Sequence, residues 1–476
     1  MLISRAHLLL CSFTLLLLCT PLVLHAQWEP DVRLTVAPDS SCTGYNNAWS
    51  IVASGDSIHV VWFDKRNGDG EIYYKASTDG GTTWTADTRL TNDMAFSGWP
   101  AIHLSGLQIN VAWEDRRELN PEIFYMRSTN GGATWEPFSR LSYAYGVSTS
   151  PCLSMTDSIV HVVWSDDRSG NSEIWYRRSL DGGVYWEPDT SLTSAPGNSE
   201  FPSLGVSGTN LHLAWADYRQ GNTAEIYYKR STNRGATWGP DIRLTNYDSV
   251  NSYYPSLAVR DSDVHIVWRN DQRKLGIYYI RSTDGGDNWS PASRITDTMG
   301  WAYRPSIAVL GSNIHLAWMN DWFNRSPYFE IYFKCSTNRG DLWGPDTRLT
   351  YDPSFSWYPS IAVSGTKVHV VWTDHRDGNY EVYYKRNPTG NPSSIEEKAE
   401  ALGLRVDVMH KLAPNPFTSF ASVLGHEADR FSLYDISGRR VGTYKGDRVG
   451  EGLSPGVYFL RPESGDTKPL RIVKVR

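Results

Sequence analysis

STDGGTTW, residues 77–84, is the stretch on which the reading of the fold turns. It recurs as STNGGATW (128–135), SLDGGVYW (179–186), STNRGATW (231–238), STDGGDNW (282–289) and STNRGDLW (336–343). The third position alternates between acid and amide: Asp79, Asn130, Asp181, Asn233, Asp284 and Asn338. Both side chains accept backbone N–H bonds within their own turn, but only Asp ionises. A repeated catalytic role would need the carboxylate, and half the copies lack it. The motif therefore reads as a structural turn. Its glycine (Gly81 in the first copy) takes a backbone conformation that other residues reach at a cost, and its Trp plugs a gap between strands.

A second element recurs with the first. Short apolar runs of the type IHVVW end in Trp62, Trp113, Trp164, Trp215, Trp268, Trp318 and Trp372, spaced 50 to 54 residues apart. Segments such as FPSLGV (201–206) and YPSIAV (358–363) precede them, and alternating aromatic runs such as EIYYK (71–75) and EVYYK (381–385) follow. These are strand signals. Each unit reads as strands A, B and C, the Ser-Asp/Asn-Gly-Trp turn, and a strand D such as IRLT (242–245). A four-stranded unit at this period is a propeller blade. The seventh unit lacks strand D, whereas WEPDVRLT (28–35) is a strand D with nothing before it, matching WGPDIRLT (238–245). The expected fold is all-β: a seven-bladed β-propeller of four-stranded antiparallel blades over 27–386, closed by the N-terminal strand, which removes two open edges.

The six S-x-[DN]-x-G-x-x-W turns resemble the Asp-box (BNR) repeats of the sialidase-like propeller superfamily, over about residues 28–386. The resemblance implies the fold more strongly than a chemistry, because such turns also occur in propellers of other activities. Sialidases have six blades. They clamp a substrate carboxylate with three arginines and use an Asp acid/base and a Tyr nucleophile assisted by a Glu. The first arginine stands in a [FY]-R-x-P stretch. The nearest match here, Tyr303-Arg304-Pro305, lacks the intervening residue and falls in blade six. At the same place the other blades carry Trp99, Ser150, Phe201, Tyr254 and Tyr358, with Ala48 in blade one. A three-arginine clamp cannot be assembled from this position.

The pattern W-x-D-x-R after strand B (WFDKR 62–66, WEDRR 113–117, WSDDR 164–168, WADYR 215–219, WTDHR 372–376) is expected to tie the B–C turn by charge-assisted hydrogen bonds. Glu opens strand C in six units (Glu71, Glu122, Glu173, Glu225, Glu330, Glu381). Blades five and six break the pattern, with WRNDQR (268–273), Gly276 in place of Glu, and a longer WMNDWFNRSPYFE (318–330). Alternating strands put the D–A and B–C loops on one face. The candidate ligand-binding residues on that face are Arg304, Trp99, Phe201, Tyr254, Trp301, Trp322, Arg325, Trp357 and Tyr358, aromatic faces and a cation that suit sugar rings. The expected function is binding of a glycan or an extracellular protein there. The alternative is an exo-sialidase-like glycoside hydrolase using Asp271 and Asp321. No cofactor or metal is implied by any Cys/His spacing.

Net charge is −6 with Lys and Arg scattered, which argues against a nucleic-acid partner. Residues 1–26 read as a secretory leader: Arg5, an apolar run over 8–18, and Ala26 before the cut. No other run is long enough for a membrane span. Residues 387–404 read as a linker, and 405–476 as a small C-terminal β-sandwich. Its LAPNPF (412–417), YDISGR (434–439) and PGVYF (455–459) are similar to the sorting domain of the type IX secretion pathway. That resemblance implies the secretion machinery as a partner, and a secreted or outer-surface location on a Gram-negative bacterium.

Overall fold

The computed structural model describes residues 28–390 apart from 45–49, 144, 247–249, 272–275, 298–299 and 322–327. In the tail it describes 412–413, 422–423, 430–435, 439–445, 447–462 and 470–474. The described secondary structure is entirely strand and turn. Blade two is typical: strand A (Ser97–Ser105), B (Gln108–Glu118), C (Asn120–Ser128) and D (Ser139–Arg140) pair antiparallel in that order. In blade seven, Ser356–Ser364, Lys367–Asp374 and Glu381–Asn387 take their fourth strand from the other end of the chain. Val32 pairs with Tyr384 and Arg33 with Tyr383. The Glu29 amide donates to the Arg386 carbonyl at 2.9 Å, and Trp28 meets Phe333 edge-on with ring centroids 4.9 Å apart. The ring is closed by its first strand.

Two features differ from the sequence expectation. The D strands pair over only two residues, because the next Leu turns inward while its amide still donates, as Leu34 does to Val382 O at 2.8 Å. So short an outer edge offers other chains little to pair with. Blade one also splits its strand A into Ser41–Cys42 and Ile51–Ser54, both paired to strand B (Ser57–Asp64). Ala48 lies outside the described residues.

No blade has a core of its own. The seven Trp residues that end strand B are all 0% exposed, and each sits in the seam with the preceding blade. Trp113, for example, packs with Val61, Ile72 and Tyr74 of blade one, and Trp62 with Val371, Val382 and Tyr384 of blade seven. In five blades the indole N–H donates to the Asp two residues on, at 2.7 to 3.0 Å. The following Arg grips the same carboxylate as a fork, as Arg66 does on Asp64 at 2.8 and 2.6 Å. A charged pair held this way also satisfies the buried indole. In blades five and six Asn270 and Asn320 replace the Asp, and the Nε1 atoms of Trp268 and Trp318 are buried without a partner.

The C–D turns lock the seams. Asp79 Oδ1 accepts from the Thr82 and Thr83 amides at 2.9 Å, and Asn130 Oδ1 accepts from Thr134 N at 2.9 Å. Acid and amide thus make the same bond. The turn's Trp stands edge-on to a strand C Tyr of the preceding blade, with centroids 4.8 to 5.3 Å apart. The second glycine lies under that Tyr. A Cβ on Gly132 would stand 2.1 Å from Tyr74 Oη, and one on Gly183 2.2 Å from Tyr125 Oη. The first glycine is freer: a Cβ on Gly131 meets only Leu107, at 3.7 Å, and Arg234 and Arg339 hold that place at φ 58° and 59° in blades four and six. We expect Gly132→Ala to cost about 2–3 kcal/mol or more from strain and overlap, and Gly131→Arg to be tolerated within about 1 kcal/mol. Urea-denaturation midpoints of the two variants check this.

Behind each of these tyrosines lies a buried polar partner. His59, His161, His212, His265 and His369 place Nδ1 2.6 to 2.8 Å from the hydroxyls of Tyr74, Tyr176, Tyr228, Tyr279 and Tyr384. In blade two Asn110 takes the place of the histidine, its Oδ1 accepting from Tyr125 at 2.6 Å. Burial pushes His59, His212 and His265 down to about 4, and His161 and His369 to about 3. The unfolded chain therefore takes up these protons first as pH falls. Stability is complete above pH ~6.5 and declines toward pH ~4. Melting temperature should fall through that window, and His212→Asn, the arrangement blade two already uses, should lower the proton uptake on unfolding there by up to about one.

In the tail, Arg430–Asp435, Arg440–Lys445, Gly456–Pro462 and Leu470–Lys474 form a four-stranded antiparallel sheet, and 412–413 pairs with 422–423. Phe431, Leu433, Val449 and Leu460 form its apolar cluster. Residues 414–417 of the PNPF landmark lie outside the described residues.

Candidate functional site

The site is set by a bulge that the repeat imposes on strand A. In blade two the pairing jumps from Gly98–Glu114 to Ala101–Ala112, so two residues oppose one. The same shift occurs in blades three to seven. Its first residue has a left-handed backbone each time: Trp99, Ser150, Phe201, Tyr254, Arg304 and Tyr358, with φ between 51° and 56°. Non-glycine residues pay about 1–3 kcal/mol for such a conformation. The proline that follows has no N–H to leave unpaired in the broken ladder.

The bulge delivers its side chain to the ring axis. Arg304 of blade six lies 3.6 Å over the Tyr254 ring of blade five, 5.8 Å from the Phe201 ring of blade four and 6.0 Å from the Tyr358 ring of blade seven. A side chain that meets rings from three other blades, one of them two blades away, must stand near the centre. Phe201 and Tyr254 meet edge-on at 4.7 Å. The structure thus brings four of the sequence-predicted ligand residues, Phe201, Tyr254, Arg304 and Tyr358, into one collar. Blade one adds Thr43, whose hydroxyl lies 2.9 Å from the Tyr358 carbonyl and 2.8 Å from the Thr373 hydroxyl.

The remaining candidates sit elsewhere. Trp99 packs on Phe63 at 4.6 Å, within the seam of blades one and two. Trp301 is 44% exposed, 6.2 Å from Tyr303. Trp357 stacks on Tyr380 at 5.3 Å. Trp322 and Arg325 lie outside the described residues. Of the two candidate acids, Asp271 pairs with Arg269 at 2.7 Å, and Asp321 accepts from the Trp301 amide at 2.5 Å. Asp321 thereby caps the D–A loop, as Asp167 caps the equivalent loop through the Val147 amide at 2.6 Å.

A second group links these acids to the collar. The Arg269 guanidinium lies 3.7 Å over the ring of Tyr303, the neighbour of Arg304. Burial raises the Tyr303 phenol, Arg269 opposes the rise, and the charges of Asp321 and Asp271 add to it. Both candidate acids are therefore within electrostatic reach of one tyrosine. In blade four, burial also raises Glu200 above the ordinary carboxylate value, and Asn198 donates to it at 3.0 Å. The sequence reading passed over Arg269, Tyr303 and Glu200. The signal was available: the residue before the bulge is Gly98, Thr149 or Glu200 in blades two to four but Tyr253, Tyr303 or Trp357 in blades five to seven.

No protein-family model matches the chain. A curated sialidase from Bacteroides fragilis is 23% identical over 250 residues, which span 46% of this chain and 44% of that protein. The chain thus matches less than half the length of that relative. Among solved structures, a polysaccharide lyase PL25 ulvan lyase bound to -[GlcA(1-4)Rha3S]- superposes with a TM-score of 0.55 at 10% identity, covering 75% of this chain and 95% of that one. The polysaccharide lyase Uly1 superposes with a TM-score of 0.52 at 11% identity, covering 76% and 99%. The fold is that of a sialidase-like β-propeller, an architecture that polysaccharide lyases share.

Proposed function

We propose that the protein binds a glycan at the collar around Arg304, on the face that carries the D–A and B–C loops. The observation that carries this reading is the Arg304 guanidinium lying 3.6 Å over Tyr254, among rings from blades four and seven. A planar cation among aromatic faces offers hydrogen-bond donors to sugar oxygens and apolar surface to sugar C–H faces. The B. fragilis sialidase and the ulvan lyases act on saccharides by their names, which agrees with this class of ligand. Cation–ring contact contributes only about 0.5–2 kcal/mol to the fold. Arg304→Ala should therefore lower affinity for a glycan found by array screening at least about tenfold, with the melting temperature moving by no more than about 4 °C. A large drop in melting temperature would make the arginine structural.

A catalytic reading is favoured by one observation, the Arg269 guanidinium held between the Asp271 carboxylate at 2.7 Å and the Tyr303 ring at 3.7 Å, beside the strand pair that sets Asp321 opposite Trp301. Turnover of a fluorogenic glycoside, or release of unsaturated uronate from ulvan, that is lost in Asp321→Asn would establish it.

The leader and the tail support a secreted or outer-surface protein delivered through the type IX pathway. Deleting residues 405–476 should leave the propeller inside the producing cell, as fractionation would show. Export of the truncated chain would remove the address from the tail.

A further inference from the structure

The collar is not uniform around its ring. On the side of blades six and seven the aromatic surface continues away from Arg304. Tyr358 meets Trp357 at 5.9 Å, and Trp357 meets Phe355 at 5.0 Å and Tyr380 at 5.3 Å. Phe355 meets Tyr328 edge-on at 4.9 Å, and Tyr380 meets His375 at 4.7 Å. Phe355, Trp357 and Tyr358 come from the end of the D–A loop and the start of strand A in blade seven, Tyr328 from the B–C loop of blade six, and His375 and Tyr380 from the B–C loop of blade seven. Topology therefore puts them all on the collar's face. All six are partly exposed, so the tract reaches solvent along its length. It is not purely apolar. Three tyrosines carry hydroxyls, and the His375 ring lies 3.5 Å from the Ser354 hydroxyl.

We propose that this tract is a row of subsites for successive units of a glycan chain, running from the seam of blades six and seven inward to Arg304. The inference rests on the glycan reading above and deepens it: the occupant is an oligosaccharide, not a single terminal sugar. Two features favour that occupant over an apolar peptide. The tract joins the cationic collar through Tyr358, whose ring lies 6.0 Å from the Arg304 guanidinium. Hydroxyl and imidazole groups lie among the rings, where a sugar's C–H face and hydroxyl edge need apolar and polar partners side by side.

The test uses the full chain and two size-fractionated series, ulvan oligosaccharides and arabino-oligosaccharides, from mono- to hexasaccharide, with binding read by titration calorimetry. In at least one series, wild-type affinity should rise with chain length. Tyr380→Ala should lower hexasaccharide affinity about tenfold, the worth of one stacked ring, and leave monosaccharide affinity unchanged. Tyr380→Phe should restore most of the loss, because the ring rather than the hydroxyl supplies the stacking face. Affinity independent of length overturns the row of subsites and leaves the collar standing, as does equal loss for mono- and hexasaccharide in Tyr380→Ala. Absence of binding in both series overturns the glycan reading together with this inference.

Discussion

Everything in the propeller depends on contact between neighbouring blades. The strand B tryptophans are buried, but each is buried against the sheet before it, so an isolated blade would expose its largest apolar group. Such an arrangement is stable only when no blade lacks a neighbour, and the pairing of Val32–Arg33 with Tyr383–Tyr384 supplies that condition. Folding is consequently tied to the two ends of a span of more than three hundred residues meeting. The entropy of closing a loop rises slowly with its length, whereas a failed closure would leave two sheet edges and one tryptophan seam in water.

The locks at the seams explain why the repeat tolerates some changes and not others. Asp and Asn exchange at the third position of the C–D turn because Oδ1 accepts the same amide in both, while the threonine hydroxyl beside it donates to Asp79 Oδ2 but accepts from Asn130 Nδ2. The first glycine becomes Arg in blades four and six, where a side chain is carried at positive φ, but the second lies beneath a tyrosine of the preceding blade. In blades five and six Asn270 and Asn320 stand where the fork's Asp stands elsewhere, and two indole N–H groups go without a partner among the described residues. These same blades carry Arg269, Tyr303 and Arg304. The local consistency of the repeat is broken where the unusual side chains gather, as expected when function competes with the regular pattern.

Much of this was legible in the chain. Periodic Trp residues and the unmatched WEPDVRLT gave the blade count and the closure, because a missing strand at one end and a spare at the other have one simple solution. The collar was partly legible, since Phe201, Tyr254, Arg304 and Tyr358 occupy one aligned position before proline. What the sequence could not convey is that the backbone there turns left-handed and sends the side chain to the axis. Trp99 shares the alignment and the φ angle yet packs into a seam, because Phe63 lies beside it. The split first strand of blade one was also hidden. Its two halves restore the register on either side of the break, so strand signals alone do not reveal it.

The repeated left-handed bulge also separates the scaffold from what it displays. Trp, Ser, Phe, Tyr, Arg and Tyr all occupy it with nearly the same φ, so the backbone there is indifferent to the group it carries. Blades four to seven thus each offer one interchangeable digit beside a common centre. New recognition can arise by rewriting a digit, without renegotiating the packing that keeps the wheel round.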